Sequence, residues 1–133
     1  METLDFGSFI ENLKVTDIPK TQIEIYRNGV VLMQIFKSSD VIRWGWNVQG
    51  LKEGGVVISL LFNKHKPKND ENHLRFKNLI YYEVFQKQDL KGNDEYVMHT
   101  SRNADEVGDL VADILNKTYE LGDEEVEVFL NSY

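Results

Sequence analysis

The polarity pattern of the chain opens with a helical stripe. Leu4, Phe6, Phe9, Ile10 and Leu13 recur at near-helical spacing between polar Glu2, Ser8, Glu11 and Asn12, which predicts a short amphipathic helix closed by Asp17-Ile18-Pro19. The period then changes to two. Gln22-Ile23-Glu24-Ile25-Tyr26 and Val30 to Phe36 flank Arg27-Asn28-Gly29. Asn-Gly supplies two residues that tolerate positive φ, as a type I′ turn requires, so an antiparallel hairpin is predicted. Over residues 41–48, Ile42, Trp44, Trp46 and Val48 alternate as a strand face, while Ser38-Ser39-Asp40 has the chemistry to cap one helical turn. The alternation favours a strand.

The run from Val56 to Phe62, broken only by Ser59, is apolar on both faces and predicts a central strand. A charged loop from Lys64 to His73 leads into residues 74–85. There Asn78, Ile80, Tyr82 and Val84 alternate with Leu79, Tyr81, Glu83 and Phe85, which reads as a long strand. Residues 89–94, with Gly92, read as a turn and 96–100 as a shorter strand. Asn103-Ala104-Asp105-Glu106 has the spacing of a capping box. Val107, Leu110, Val111, Ile114, Leu115 and Tyr119 then form one apolar stripe opposite Asp109, Asp113, Asn116 and Glu120, until Gly122 stops the helix. Residues 123–133 fit either a short helix (Val126, Phe129, Leu130, Tyr133) or an edge strand (Val126, Val128, Leu130).

Helix, run of strands, helix is the order of an α+β fold: a single domain over residues 1–133, with a meandering antiparallel sheet of five or six strands and the N- and C-terminal helices on one face. A strand apolar on both sides asks for cover on the second face as well. Strong curvature, a bound ligand or another subunit would provide it, and dimerisation is one expectation. The other is a sheet that curls on itself with the N-terminal helix plugging the opening.

Composition narrows the function classes. A chain of 133 residues makes one domain of ordinary size. With no cysteine it carries no disulfide, thiolate nucleophile, thiolate-bound zinc or iron–sulfur cluster. The acidic opening lacks the basic stretch of a signal peptide, and no apolar run approaches the ~20 residues of a membrane span, so the cytoplasm is the expected compartment and no membrane partner is expected. A net charge of −7 argues against nucleic acid, which needs clustered Lys and Arg. The excess is C-terminal: residues 1–104 carry 14 basic and 13 acidic side chains, whereas 105–133 carry Lys117 against nine acids. An acidic docking surface and a merely solvated helix face both account for it.

Candidate chemistry is sparse. His65, His73 and His99, with Asp70 and Glu71 between the first two, are the one imidazole constellation, but their spacing is not that of a metal site, and no metal or other cofactor is expected. There is no G-x-S-x-G turn around Ser59 or Ser101, and Gly50 to Gly55 lacks the G-K-[ST] ending of a phosphate loop. Lys64, Lys66 and Lys68 form one basic cluster, read as a solubilising loop tip. Trp44, Trp46, Tyr81, Tyr82, Phe85 and Tyr96 are candidates for one aromatic binding surface, with core burial as the plainer alternative.

As architecture, a small acidic domain with a helix, an apolar antiparallel sheet and a C-terminal amphipathic helix resembles the secretion-chaperone-like fold of effector chaperones and some immunity or adaptor proteins. The resemblance implies a dimer that holds an extended segment of a partner along its sheet or helices. The chain is therefore expected to be a non-catalytic protein-binding module of chaperone, adaptor or inhibitor type, acting as a homodimer. The alternative is a small-molecule-binding or hydrolytic enzyme with a pocket between sheet and C-terminal helix, using His99 or His73 as acid/base.

Overall fold

The structure is a computed structural model that describes residues 5–63, 67–90, 93–121 and 126–132. Leu4, Gly92, Gly122 and Tyr133, used in the sequence reading, lie outside those residues. Six strands form one antiparallel sheet in the order β4-β5-β3-β2-β1-β6. Their ranges are β1 (Thr21–Arg27), β2 (Val30–Lys37), β3 (Val56–Asn63), β4 (Gln86–Leu90), β5 (Asn93–Thr100) and β6 (Glu127–Ser132). The helices are α1 (Phe6–Val15), α2 (Ser38–Trp44), α3 (Pro67–Lys77) and α4 (Ala104–Tyr119). This is the expected α+β domain, with β3 inside the sheet.

Local chemistry sets the elements that were read correctly. Asn28 and Gly29 take φ of 52° and 77°, the left-handed pair that turns β1 into β2. The register slips after Ile25, which faces Met33 while Tyr26 faces Val31, so Leu32 is the extra residue of a bulge. The Tyr119 hydroxyl donates to the Leu32 carbonyl at 3.0 Å, satisfying a backbone group at the bulge from the last residue of α4. At the other end of α4, the Glu106 amide donates to Asn103 Oδ1 at 2.9 Å and Asn103 Nδ2 donates to Glu106 Oε1 at 2.7 Å. The capping residues are those expected, although Glu106 reaches the Asn side chain where a capping box would use the backbone amide. Residues 127–132 resolve the open alternative as an edge strand on β1.

Two segments read as strands are not strands. Residues 38–44 are helical and Gly45, at φ 74°, ends the helix in a left-handed cap whose N–H returns to the Ile42 carbonyl. The alternation of Ile42, Trp44 and Trp46 is thus not a strand face. Residues 67–77 form α3, followed by turns and a 3₁₀ turn at Tyr82–Val84, where a charged loop as far as His73 and then a long strand over 74–85 were expected. Pro67 starts the helix where its missing N–H costs nothing, with Asp70 in the first turn and Arg75 and Lys77 in the last, complementing the helix dipole. The expected turn over 89–94 is narrower, since β4 runs to Leu90 and β5 begins at Asn93.

These corrections explain the sheet's second face. Alternate residues of the strands point into a large core with α1, α3 and α4: Ile23, Ile25, Ile35, Ile58, Leu60, Phe62 and Tyr96 pack there with Ile10, Leu13, Phe76, Val107, Val111 and Ile114. On the opposite face Phe36, Val57 and Val97 form a smaller core closed by Val41 of α2 and by Trp46, Val48 and Leu51 of the loop that follows. The chain supplies its own cover for that end, and α1 lies against α4 on the first face; it does not plug a curled sheet.

Candidate functional site

Beyond the α2 cover, the second face continues across β6, β1, β2, β3 and β5 as a row of polar side chains with apolar ones at its margins. Phe129, Glu24, Gln34 and Ser59 follow one another by register, and Tyr26, Leu61 and Glu95 lie in the next row. Leu61 and Phe129 are 39% and 42% exposed. Among the described residues no helix contributes to a buried cluster at this end. From β3 to β6 the sheet spans three strand spacings, about 14 Å.

The polar middle is tightly bonded. Glu24, a buried residue, accepts from Tyr26 Oη at 3.0 Å and Asn131 Nδ2 at 2.8 Å, with Gln34 Nε2 at 3.5 Å. The bond to a carboxylate holds the Tyr26 hydroxyl above its ordinary range. Glu95 is also buried and accepts from Ser59 Oγ at 3.0 Å. Burial pushes the Glu95 carboxyl up, and the Ser59 bond offsets only part of that. A carboxylate kept against its own desolvation costs stability in its charged form. Glu95→Gln is therefore expected to raise the urea midpoint at pH 7. The gain disappears as pH falls through the range where Glu95 itself takes a proton, and an unchanged midpoint at pH 7 contradicts it.

The aromatic candidates divide between the two sides of the sheet. Trp44 and Trp46, with ring centroids 5.4 Å apart, both meet Phe36 edge-on and form a partly exposed lip at the C-terminal end of α2. Tyr81, Tyr82, Phe85 and Tyr96 belong to the first-face core. There the Tyr81 hydroxyl donates to Asp113 Oδ2 at 2.5 Å, and Tyr82 and Phe85 pack on Phe76. The structure brings together the two tryptophans and, separately, the other four.

The histidines divide likewise. His65, with Lys64 and Lys66, lies outside the described residues. His99 is on the second face opposite Val57, whereas His73 of α3 enters the first-face core. Its ring stacks on Phe62 at 4.7 Å, Nε2 meets Tyr96 Oη at 2.6 Å and Nδ1 faces Asp94 Oδ2 at 3.7 Å, with Lys87 Nζ 3.4 Å from Asp94 Oδ1. A neutral ring satisfies both contacts, accepting from tyrosine and presenting its N–H to aspartate. Tyr96 is only 1% exposed, so this trio offers no hydroxyl to a substrate; it fastens α3 to the sheet. Among the described residues no three His, Asp or Glu side chains converge as a metal site, and no helix is long and apolar enough to cross a membrane.

Burial holds both His73 and His99 below the ordinary imidazole range. The unfolded chain binds their protons first, so stability is fully present above about pH 6.5 and is lost as pH falls through the lowered folded values. Denaturation midpoints are expected to drop as pH falls below about 6.5, and His73→Asn should flatten part of that slope.

Sequence reasoning missed both polar groupings. Glu24 and Ser59 were visible as polar positions inside apolar strands, which is the signal for a face left open. His73, Asp94 and Tyr96 carry no such signal, because only the packing of α3 brings them together. Compared with protein families, characterised proteins and solved structures, the chain matches none.

Proposed function

We propose that the protein is a non-catalytic protein-binding module of chaperone, adaptor or inhibitor type, and that it self-associates. The observation that carries this reading is the open half of the second sheet face, where exposed Leu61 and Phe129 flank a fixed polar row containing two buried carboxylates. Apolar anchors around oriented acceptors suit a partner that brings its own apolar groups and hydrogen-bond donors. The acidic balance of the chain, −7 overall, favours a basic or neutral partner.

The test is affinity capture from the protein's own cells with wild type and Leu61→Glu side by side. A partner held by wild type and lost from a folded Leu61→Glu variant supports the reading. Equal recovery by both contradicts it. Among the described residues the enzyme alternative has only His73 beside Asp94 to draw on, an imidazole–carboxylate pair that the packing already uses to fasten α3. That reading requires a bound small molecule or turnover abolished by His73→Asn.

A further inference from the structure

The two borders of the sheet are not alike. β4 spans Gln86–Leu90 and carries Lys87, an edge charge of the kind that discourages strand pairing. β6, at the other border, has no Lys, Arg or Pro and no bulge in its pairing with β1. It leaves Phe129 and Leu130, on opposite faces, 42% and 38% exposed. Among the described residues no strand pairs with the outer side of β6, and an edge with apolar side chains above and below lacks the usual guards against a further strand.

We infer that β6 is the self-association edge: two copies pair β6 to β6, antiparallel about a two-fold axis, to make one continuous twelve-stranded sheet. This rests on the protein-binding reading and names the partner as a second copy of the chain. The side chains select the register. With the axis at Phe129, each Glu127 faces the other copy's Asn131, each Val128 faces Leu130, and Phe129 faces itself. The only charged residue of the strand thus meets an amide and not its own copy, while every apolar residue meets an apolar one. On the second face, Phe129 already packs edge-on against Tyr26, with centroids 5.7 Å apart, so the joint completes a row of four rings. On the first face Val128 packs on the main core, and Leu130, paired with Ile23, stands exposed beside it for the second copy to cover. Moving the axis to Leu130 would set Phe129 against Asn131 and Val128 against Ser132, breaking these matches.

The absence of cysteine makes the geometry directly testable. Directly opposed residues of an antiparallel pair have Cα atoms about 4.5–5.5 Å apart, within the span of a disulfide. Under mild oxidation the full chain with Phe129→Cys is expected to form a covalent dimer, as is the double variant Glu127→Cys/Asn131→Cys. Glu127→Cys alone is not. Leu130→Lys, which installs an edge charge like that of β4, is expected to weaken self-association at least tenfold by sedimentation. A dimer in sedimentation that cross-links at neither site overturns this geometry and leaves the protein-binding reading standing. A strict monomer that still captures a partner lost in Leu61→Glu overturns the second-copy assignment and the self-association proposed above, and leaves protein binding standing. A monomer with no such partner overturns both.

Discussion

Phe62→Ala is expected to destabilise the protein by about 3–5 kcal/mol, the cost of emptying a well-packed aromatic site. Phe62 is 2% exposed and stands where four elements meet: its ring contacts His73 and Phe76 of α3, Tyr96 of β5 and Tyr119 of α4. Removing it leaves a void lined by rigid rings, which cannot collapse into the gap. The cost is a large part of the ~5–15 kcal/mol that a domain of this kind has in total. His73 also loses the surface it stacks on. Urea denaturation should show the lower midpoint, and a loss under 1 kcal/mol would contradict the packing described.

Gly108→Ala is the second large effect, and it separates backbone contact from helix propensity. Alanine favours a helix over glycine by about 1 kcal/mol, so an exposed position would gain. At Gly108, however, a Cβ would stand 2.6 Å from the Gly7 nitrogen and 3.0 Å from its Cα. Both are backbone atoms of α1, which must move away from α4 as a body and open the contacts of Ile10 and Leu13 with that helix. A net loss of about 1–3 kcal/mol is expected. Gly7→Ala is the control, since its Cβ would meet Asp105 Oδ1 at 2.9 Å, the end of a side chain that can turn aside, and Asp5 Oδ1 of the helix cap at 3.2 Å, which need give only a few tenths of an ångström. Equal effects of the two substitutions would show that the helices do not cross at these glycines.

The parts of the fold legible in the sequence were those with local chemistry of their own. Asn28-Gly29 determined a turn, Asn103 and Glu106 a helix start, and the stripe from Val107 to Tyr119 a buried face. The misread segments lack that independence. α2 is seven residues long, and its buried side is Ser38, Asp40 and Val41, which leaves almost no apolar period to detect. Gly45, between the two tryptophans, was the available stop signal. α3 is strongly polar; Asn72, His73 and Phe76 face inward, and Arg75 is bound to the Thr118 carbonyl at 2.9 Å and to the Asn72 side chain. Its stability comes from tertiary contacts, which periodicity cannot register. Strand β4, of sequence Gln-Lys-Gln-Asp-Leu, has no strand pattern and exists through its ladder with β5.

Misreading α2 had a functional consequence. Treated as a strand, residues 41–48 enlarged the sheet and made its second face look wholly uncovered. As a helix and loop they close one end over Phe36, Val57 and Val97, and the open surface shrinks to the end bounded by Leu61 and Phe129. The positions Glu24, Gln34 and Ser59 were legible as polar interruptions, but their meeting in one row depends on the register of three strands.

The central claim is that this protein works by holding another polypeptide. Native mass spectrometry of the protein, isolated gently from its own cells, tests it most directly. The account predicts a mass of two chains, or of this chain with a second polypeptide. A 15.5 kDa monomer at every concentration, alone or carrying a small-molecule mass, would contradict it.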